Sequence, residues 1–202
     1  MPNTKNIALV ILAAGESSRM QQPKQLLAWG KSTLIGNAID VALESNADEV
    51  FVVLGNKAEI IKRQYGNLGV HWVYNKNWKK GIGSSISSAI KHILGSKKRY
   101  RGILITLCDQ PLIDSEFLNE IISAFVNGDA GIVATAYKNR SGVPVLFHRN
   151  YFEKLSKLDK DLGAKKIIDT NLQDVYAIDP NGKEKDLDTV EEYQTAIKNM
   201  NF

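Results

Sequence analysis

The chain has 202 residues, 44% of them hydrophobic and 24% charged, a formal net charge of +4 and an isoelectric point near 9.0. That length suits one well-buried α/β domain, expected here over residues 1–202, and is short for two ordinary ones; the mild basic excess suits anionic small molecules. The single cysteine, Cys108, excludes an intramolecular disulfide and a cysteine-based zinc site.

The first apolar run, residues 7–12, reads as a strand buried on both faces. It leads into Leu12-Ala13-Ala14-Gly15-Glu16-Ser17-Ser18-Arg19-Met20, a loop of mostly small residues, with Lys24 directly after Pro23. Gly15 can adopt positive φ, and Ala13 and Ala14 let a ligand come close to the backbone. Successive N–H groups in such a turn form a concave anion site, at the strand end where open α/β sheets bind ligands. Arg19 and Lys24 supply the cations a polyphosphate needs. The stretch reads as a nucleoside triphosphate loop.

Further along, Ser32 is placed to cap a helix over residues 32–45, followed by a strand at 49–54, a helix at 57–65 and a strand at 70–74. Gly81-Ile82-Gly83-Ser84-Ser85 opens a helix over 84–94 with small residues and exposed amides, a favourable place for an anion or a ribose edge. The basic run at 97–101 reads as a solvated turn before a strand at 102–107. Asp109 follows that strand, so its carboxylate is expected at the same sheet edge as the opening loop. A lone carboxylate there suits Mg²⁺, which takes few protein ligands and completes its shell with water and substrate phosphates.

A helix over 114–126 precedes strands at 130–136 and 143–147; Pro144 marks the second as an edge or irregular strand. Helices at 150–158 and 162–169, a strand at 174–178 and a helix over 189–200 complete the pattern. Strand–helix alternation of this kind predicts an α/β fold: a mostly parallel central sheet with helices on both faces. Asp188, with Glu191 three residues on, is placed to cap the last helix, although one aspartate can serve as a cap or as a ligand alike. Residue types alone do not choose between Asp186 and Asp188.

Other signals dissolve on inspection. Gly30-Lys31-Ser32-Thr33 lacks the earlier glycine of a P-loop and reads as a turn with a Ser or Thr helix cap. Gly81-Ile82-Gly83 lacks the third glycine of a dinucleotide fingerprint, and no nucleophile elbow exists. His71, His92 and His148 are spread without ligand spacing. Aromatic and basic residues do not alternate as in stacking platforms, so no nucleic-acid partner is expected. With no charged leader and no long apolar run, no membrane contact and a cytoplasmic location are expected.

The opening loop with Pro23-Lys24, the Cys108-Asp109-Gln110-Pro111 segment and Asp186-Leu187-Asp188-Thr189 resemble, in order, the signatures of the nucleotidyltransferases that join a nucleotide to the molybdenum cofactor. Ser141-Gly142-Val143-Pro144 and Asp161-Leu162-Gly163-Ala164-Lys165 extend the resemblance, although Val143 and Lys160 depart from it. It implies a Rossmann-like nucleotide-diphospho-sugar transferase fold. Ala14 with Pro23-Lys24 resembles the CTP-using branch, which implies CMP transfer from CTP to the terminal phosphate of molybdopterin with release of pyrophosphate. On this resemblance Arg19, Lys24 and Asp109 are catalytic, and Asp109 with Asp188 holds Mg²⁺, or Mn²⁺ in its place. Leu12, Ala13, Ala14, Gly15, Ser17, Arg19, Lys24, Asn75, Gly81, Ser84 and Ser85 bind the nucleotide. CTP and molybdopterin are the expected partners, with a transient contact to the molybdoenzyme that receives the product. The alternatives are another phosphorylated acceptor such as a sugar phosphate, GTP in place of CTP, a glycosyltransferase, or a non-catalytic nucleotide-binding module.

Overall fold

A computed structural model describes residues 6–16, 20, 23–160 and 163–200. β1 (Ile7–Ala13) is the strand read from the first apolar run, and all seven of its residues are buried. A short hairpin of β2 (Ala28–Trp29) and β3 (Ser32–Thr33) follows, turning at Gly30 with φ 56°. Then come α1 (Leu34–Glu44), β4 (Glu49–Leu54), α2 (Ala58–Tyr65), β5 (His71–Tyr74), α3 (Ile82–Leu94) and β6 (Gly102–Leu107). The second half runs α4 (Ser115–Asn127), β7 (Ile132–Tyr137), β8 (Arg140–His148), α5 (Phe152–Ser156), α6 (Lys165–Asp169), β9 (Val175–Ile178) and α7 (Val190–Met200).

Seven strands form one sheet in the order β5-β4-β1-β6-β8-β7-β9, and only β8 runs antiparallel to its neighbours. This is the predicted mostly parallel α/β sheet with helices on both faces. Successive strand side chains point to opposite faces, so β1 feeds two cores. Ala8, Val10 and Leu12 pack with α3, α5 and α6, whereas Ile7, Leu9, Ile11 and Ala13 pack with α1, α2 and α4. A third, smaller cluster joins Met20, Leu27, Trp29, Leu34 and Leu187 to the inner face of α7.

Three local expectations need correction. Ser32 does not cap α1; it lies in the β2–β3 hairpin, and Thr33 Oγ1 accepts from Gly36 N at 3.2 Å. A hydroxyl at either position satisfies the sequence pattern, and the hairpin decides between them. Of the two readings of the Pro144 strand, irregular holds and edge does not: it sits centrally, between β6 and β7. Its pairing to β7 shifts between Ala134 and Thr135, leaving Val143 and Pro144 outside the ladder, where Thr135 Oγ1 and Tyr137 Oη donate to the carbonyls of Pro144 and Val143. Proline lacks an N–H, and the bulge removes the need for one. The predicted 150–158 helix resolves into a 3₁₀ turn at Arg149–Tyr151 followed by the shorter α5.

Candidate active site

The parallel register of β5, β4, β1 and β6 brings their carboxyl ends to one edge of the sheet, and the predicted site residues of the described chain gather there. From β1, the loop 14–16 is tied down on two sides. Asn56 N donates to the Ala14 carbonyl at 3.2 Å, and Gln25 Nε2 donates to the carbonyls of Ala13 and Gly15 at 3.1 and 2.7 Å. Gln25 is 3% exposed and both amide hydrogens are spent on the loop. Sequence reasoning missed it; its only signal was its place directly after Lys24. Ala14 is 4% exposed and packs in the core cluster that includes Leu12 and Val53. Gly15 is exposed with open space where a Cβ would stand. Ser17 and Arg19 lie outside the described residues.

Close approach also explains Gly55, at the end of β4. A Cβ there would lie 2.5 Å from Trp78 Cβ and 2.7 Å from the Ala14 carbonyl oxygen. The tryptophan thus presses the β4 end against the loop, and only glycine leaves room.

Lys24 begins a 3₁₀ turn, Lys24–Leu26, and is 7% exposed. Its Nζ lies 2.8 Å from Asp109 Oδ2 and 2.9 Å from Asp188 Oδ1. Burial alone would lower the Lys24 pKa, but the charge and hydrogen bond of Asp109, then those of Asp188, hold it above the ordinary lysine value. Three residues spread over the whole sequence therefore meet at one ammonium group.

Asp109 leaves the end of β6, where Cys108 N donates to the Leu12 carbonyl at 3.4 Å. Its other carboxylate oxygen, Oδ1, is buried without a hydrogen-bond partner among the described residues. Burial, then the Asp109 charge, pushes the Cys108 thiol well above its usual range.

The C-terminal segment is joined to Asp109 by backbone: Leu187 N donates to the Asp109 carbonyl at 2.9 Å, while the Leu187 side chain is buried in the third cluster. Residues 186 and 188 thus flank an anchored leucine. Gln110, 3% exposed, extends Nε2 toward Asp186 Oδ1, Tyr137 Oη and the Glu184 carbonyl at 2.9, 2.9 and 3.3 Å. All three accept, which fixes the orientation of the amide. Asp186 is exposed as a residue, yet its carboxyl head is crowded. Burial, then the Asp109 charge, pushes it up to about 6, against the Gln110 hydrogen bond.

The cap of α7 differs from the expected pairing of Asp188 with Glu191. Thr189 Oγ1 accepts from Glu192 N at 3.2 Å, and Glu192 Oε2 accepts from the backbone N–H groups of Asp188 and Thr189 at 2.8 and 2.9 Å. This reciprocal box satisfies the helix terminus without the Asp188 side chain, and the Asp188 carboxylate faces Lys24 instead.

Asn75, Ser84 and Ser85 meet at the same sheet edge but are committed to one another. The buried Asn75 Nδ2 donates to Ser84 Oγ and Ser85 Oγ at 2.9 and 3.0 Å, and Ser84 Oγ donates to the Gly81 carbonyl at 2.8 Å. Gly81 sits at φ 100°, a left-handed backbone that favours glycine. The network holds the start of α3 in shape, and the backbone there is spent as well: Gly81 N donates to the Trp78 carbonyl at 3.1 Å and Gly83 N to the Lys160 carbonyl at 2.9 Å, so the exposed amides expected at this helix start are largely taken up.

Among the described residues no cluster of three His, Cys, Asp or Glu side chains could hold a metal ion. Asp109 and Asp188 offer two carboxylates that already share a cation, and one Asp109 oxygen has no partner. An all-oxygen donor set with two protein ligands fits Mg²⁺ or Mn²⁺ that completes its shell with water and phosphate oxygens. No described helix is long and apolar enough to cross a membrane.

Known proteins share this architecture. Rv0371c from Mycobacterium tuberculosis H37Rv superposes with a TM-score of 0.82 at 28% identity, over 96% of this chain and 97% of that one. A second structure of Rv0371c, a complex with manganese, gives 0.79 at the same identity. The bifunctional protein GlmU of Legionella pneumophila (strain Lens) is 28% identical over 179 residues, which is 85% of this chain and 37% of that protein. The chain thus spans a little over a third of the length of the curated relatives it matches. Residues 9–175, from the middle of β1 to the first residue of β9, match the MobA-like NTP transferase domain, and the chain belongs to that family of nucleotidyltransferases.

Proposed function

We propose that the protein transfers CMP from CTP to the terminal phosphate of molybdopterin, releasing pyrophosphate. The observation that carries this reading is the meeting of Lys24, Asp109 and Asp188 beside the β1 loop. A phosphate-accepting turn, a mobile-stemmed cation and two carboxylates are what a triphosphate and its counter-ion require. The choice of CTP rests on the sequence resemblance of Ala14 and Pro23-Lys24 to the CTP-using branch.

An acceptor phosphate oxygen forms a bond to the α-phosphorus of CTP as the bond from that phosphorus to the β-phosphate oxygen breaks. The acceptor is already ionised at neutral pH, so no side-chain base is needed. The backbone of residues 12–15, held by Gln25 and Asn56, seats the nucleotide, and residues 75 and 81–85 border its sugar and base. Lys24, with Arg19, offsets the charge that gathers on the departing pyrophosphate. Asp109 and Asp188 would hold Mg²⁺ or Mn²⁺, and that ion would supply Lewis-acid neutralisation between the two anions.

A second reading keeps the chemistry and changes the acceptor, to a sugar phosphate for example, or the nucleotide, to GTP. Val143, outside the β8 ladder, and Lys160 are where the sequence departs from the molybdopterin-type segments. Pyrophosphate release measured with each nucleoside triphosphate and Mg²⁺, with and without molybdopterin, tests both. Release with CTP only when molybdopterin is present supports the first reading. Release only with a sugar phosphate supports the second, and release with no acceptor tested sinks both. A transient contact with a molybdoenzyme and a cytoplasmic location belong to the first reading.

A further inference from the structure

We propose that Lys24 is an internal stand-in for the divalent cation: its ammonium occupies Asp109 and Asp188 until a triphosphate draws it away, so metal and nucleotide enter as a pair. The inference rests on the assignment of those two aspartates as metal-holding groups. Nζ is within 2.9 Å of both carboxylates, and among the described residues its hydrogen bonds and ion pairs run to these two aspartates. Lysine is 7% exposed here, so its charge has little water to fall back on. A divalent ion taking the same two carboxylates would stand beside that ammonium. Like charges at such range, in a partly desolvated site, repel strongly.

The means of exchange are present. The lysine stem is flexible and its donors rotate freely, and the short 3₁₀ turn carrying it adjoins the β1 loop that Gln25 fastens. A triphosphate bound there offers the ammonium a more negative partner than the two carboxylates it leaves. Asp109 Oδ1, buried and unpaired, is a half of the acid that the lysine never satisfies. The nucleotide-free protein is therefore expected to bind metal weakly, because only the fraction with Lys24 displaced is competent. Metal and nucleotide must then strengthen one another reciprocally.

The test is a titration with Mn²⁺ alone, followed by the electron paramagnetic resonance of the free ion. Lys24→Gln should bind Mn²⁺ about tenfold or more tightly than the unaltered protein, and adding Asp109→Asn to it should remove that binding. A non-hydrolysable α,β-methylene analogue of CTP should raise the affinity of the unaltered protein more than that of Lys24→Gln. Equal or weaker Mn²⁺ binding by a folded Lys24→Gln overturns the proposal, as does binding that survives Asp109→Asn. Should Lys24→Gln not fold, acylation of the Lys24 amine in the unaltered protein, read by mass spectrometry, gives the answer. Mn²⁺ raised to saturation without nucleotide forces the exchange and should increase that labelling severalfold, and unchanged labelling at saturation overturns the idea. Failure of every nucleotide to release pyrophosphate would sink the proposed function instead, and leaves the Mn²⁺ titration to judge the lysine.

Discussion

Lys24 is buried and charged, a combination that persists only where partners replace the lost water. Removing it leaves Asp109 and Asp188 facing each other; removing Asp109 strands the ammonium. Lys24→Ala and Asp109→Ala are each expected to lower turnover about 10²–10³-fold, the cost of one lost charge-stabilising group, in a pyrophosphate-release assay at saturating CTP. Gln25 acts at one remove. Gln25→Ala leaves the Ala13 and Gly15 carbonyls without their donor and should cost about 1–3 kcal/mol in stability, measurable by urea unfolding, while raising the KM for CTP more than it lowers kcat. Lys24 and Asp109 were legible because a cation after a small-residue loop and an acid after an apolar strand are chemically conspicuous. Gln25 and Gln110 were not, because an amide declares its partners only after the backbone has folded around it.

At the scale of elements, continuous apolar runs announced β1, β4 and β6 with nearly correct ends, since a strand buried on both faces leaves polar residues no place. Ends governed by competing hydroxyls were harder: Thr33, not Ser32, caps α1, and Thr189 with Glu192, not Asp188 with Glu191, caps α7. The central position of β8 was hidden because the register shift that shelters Pro144 depends on β7. A pH effect belongs at this scale too. Glu49 opens β4 and receives Lys98 Nζ at 2.8 Å and Tyr100 Oη at 2.5 Å, from the segment leading into β6. Burial would raise the Glu49 pKa, but those hydrogen bonds outweigh it and the net shift is downward. Its stabilisation is therefore complete above the unfolded-chain value, and is lost as pH falls from there through the depressed folded value. The Tm difference between the unaltered protein and Glu49→Gln should be largest near neutrality and should shrink toward about pH 3, by differential scanning calorimetry.

Across the whole molecule, the site joins residues 24, 109 and 188, and the last of these lies beyond the family-matched residues 9–175. Its attachment depends on Leu187, 4% exposed, and on the α7 residues Val190, Tyr193 and Ile197 packed beside it. Leu187→Ala should cost about 2–5 kcal/mol and depress activity together with stability, while the volume-conserving Leu187→Met should restore most of both; parallel urea and turnover curves check this. That the strands form one mostly parallel sheet was foreseeable from alternation alone, whereas the return of the C-terminal segment to β6 was not, because it is carried by the Leu187 backbone bond and packing and by the side chains of Lys24 and Gln110, which find their partners only in the folded chain. The bond from Leu187 N to the Asp109 carbonyl has a consequence for damaged protein. A molecule severed just ahead of that leucine would lose its second acid and, with α7, the packing that covers Met20, Leu27, Trp29 and Leu34. Its buried ammonium would keep one carboxylate out of two, so a single cut would unsettle the charge balance at Lys24 and the fold around it together.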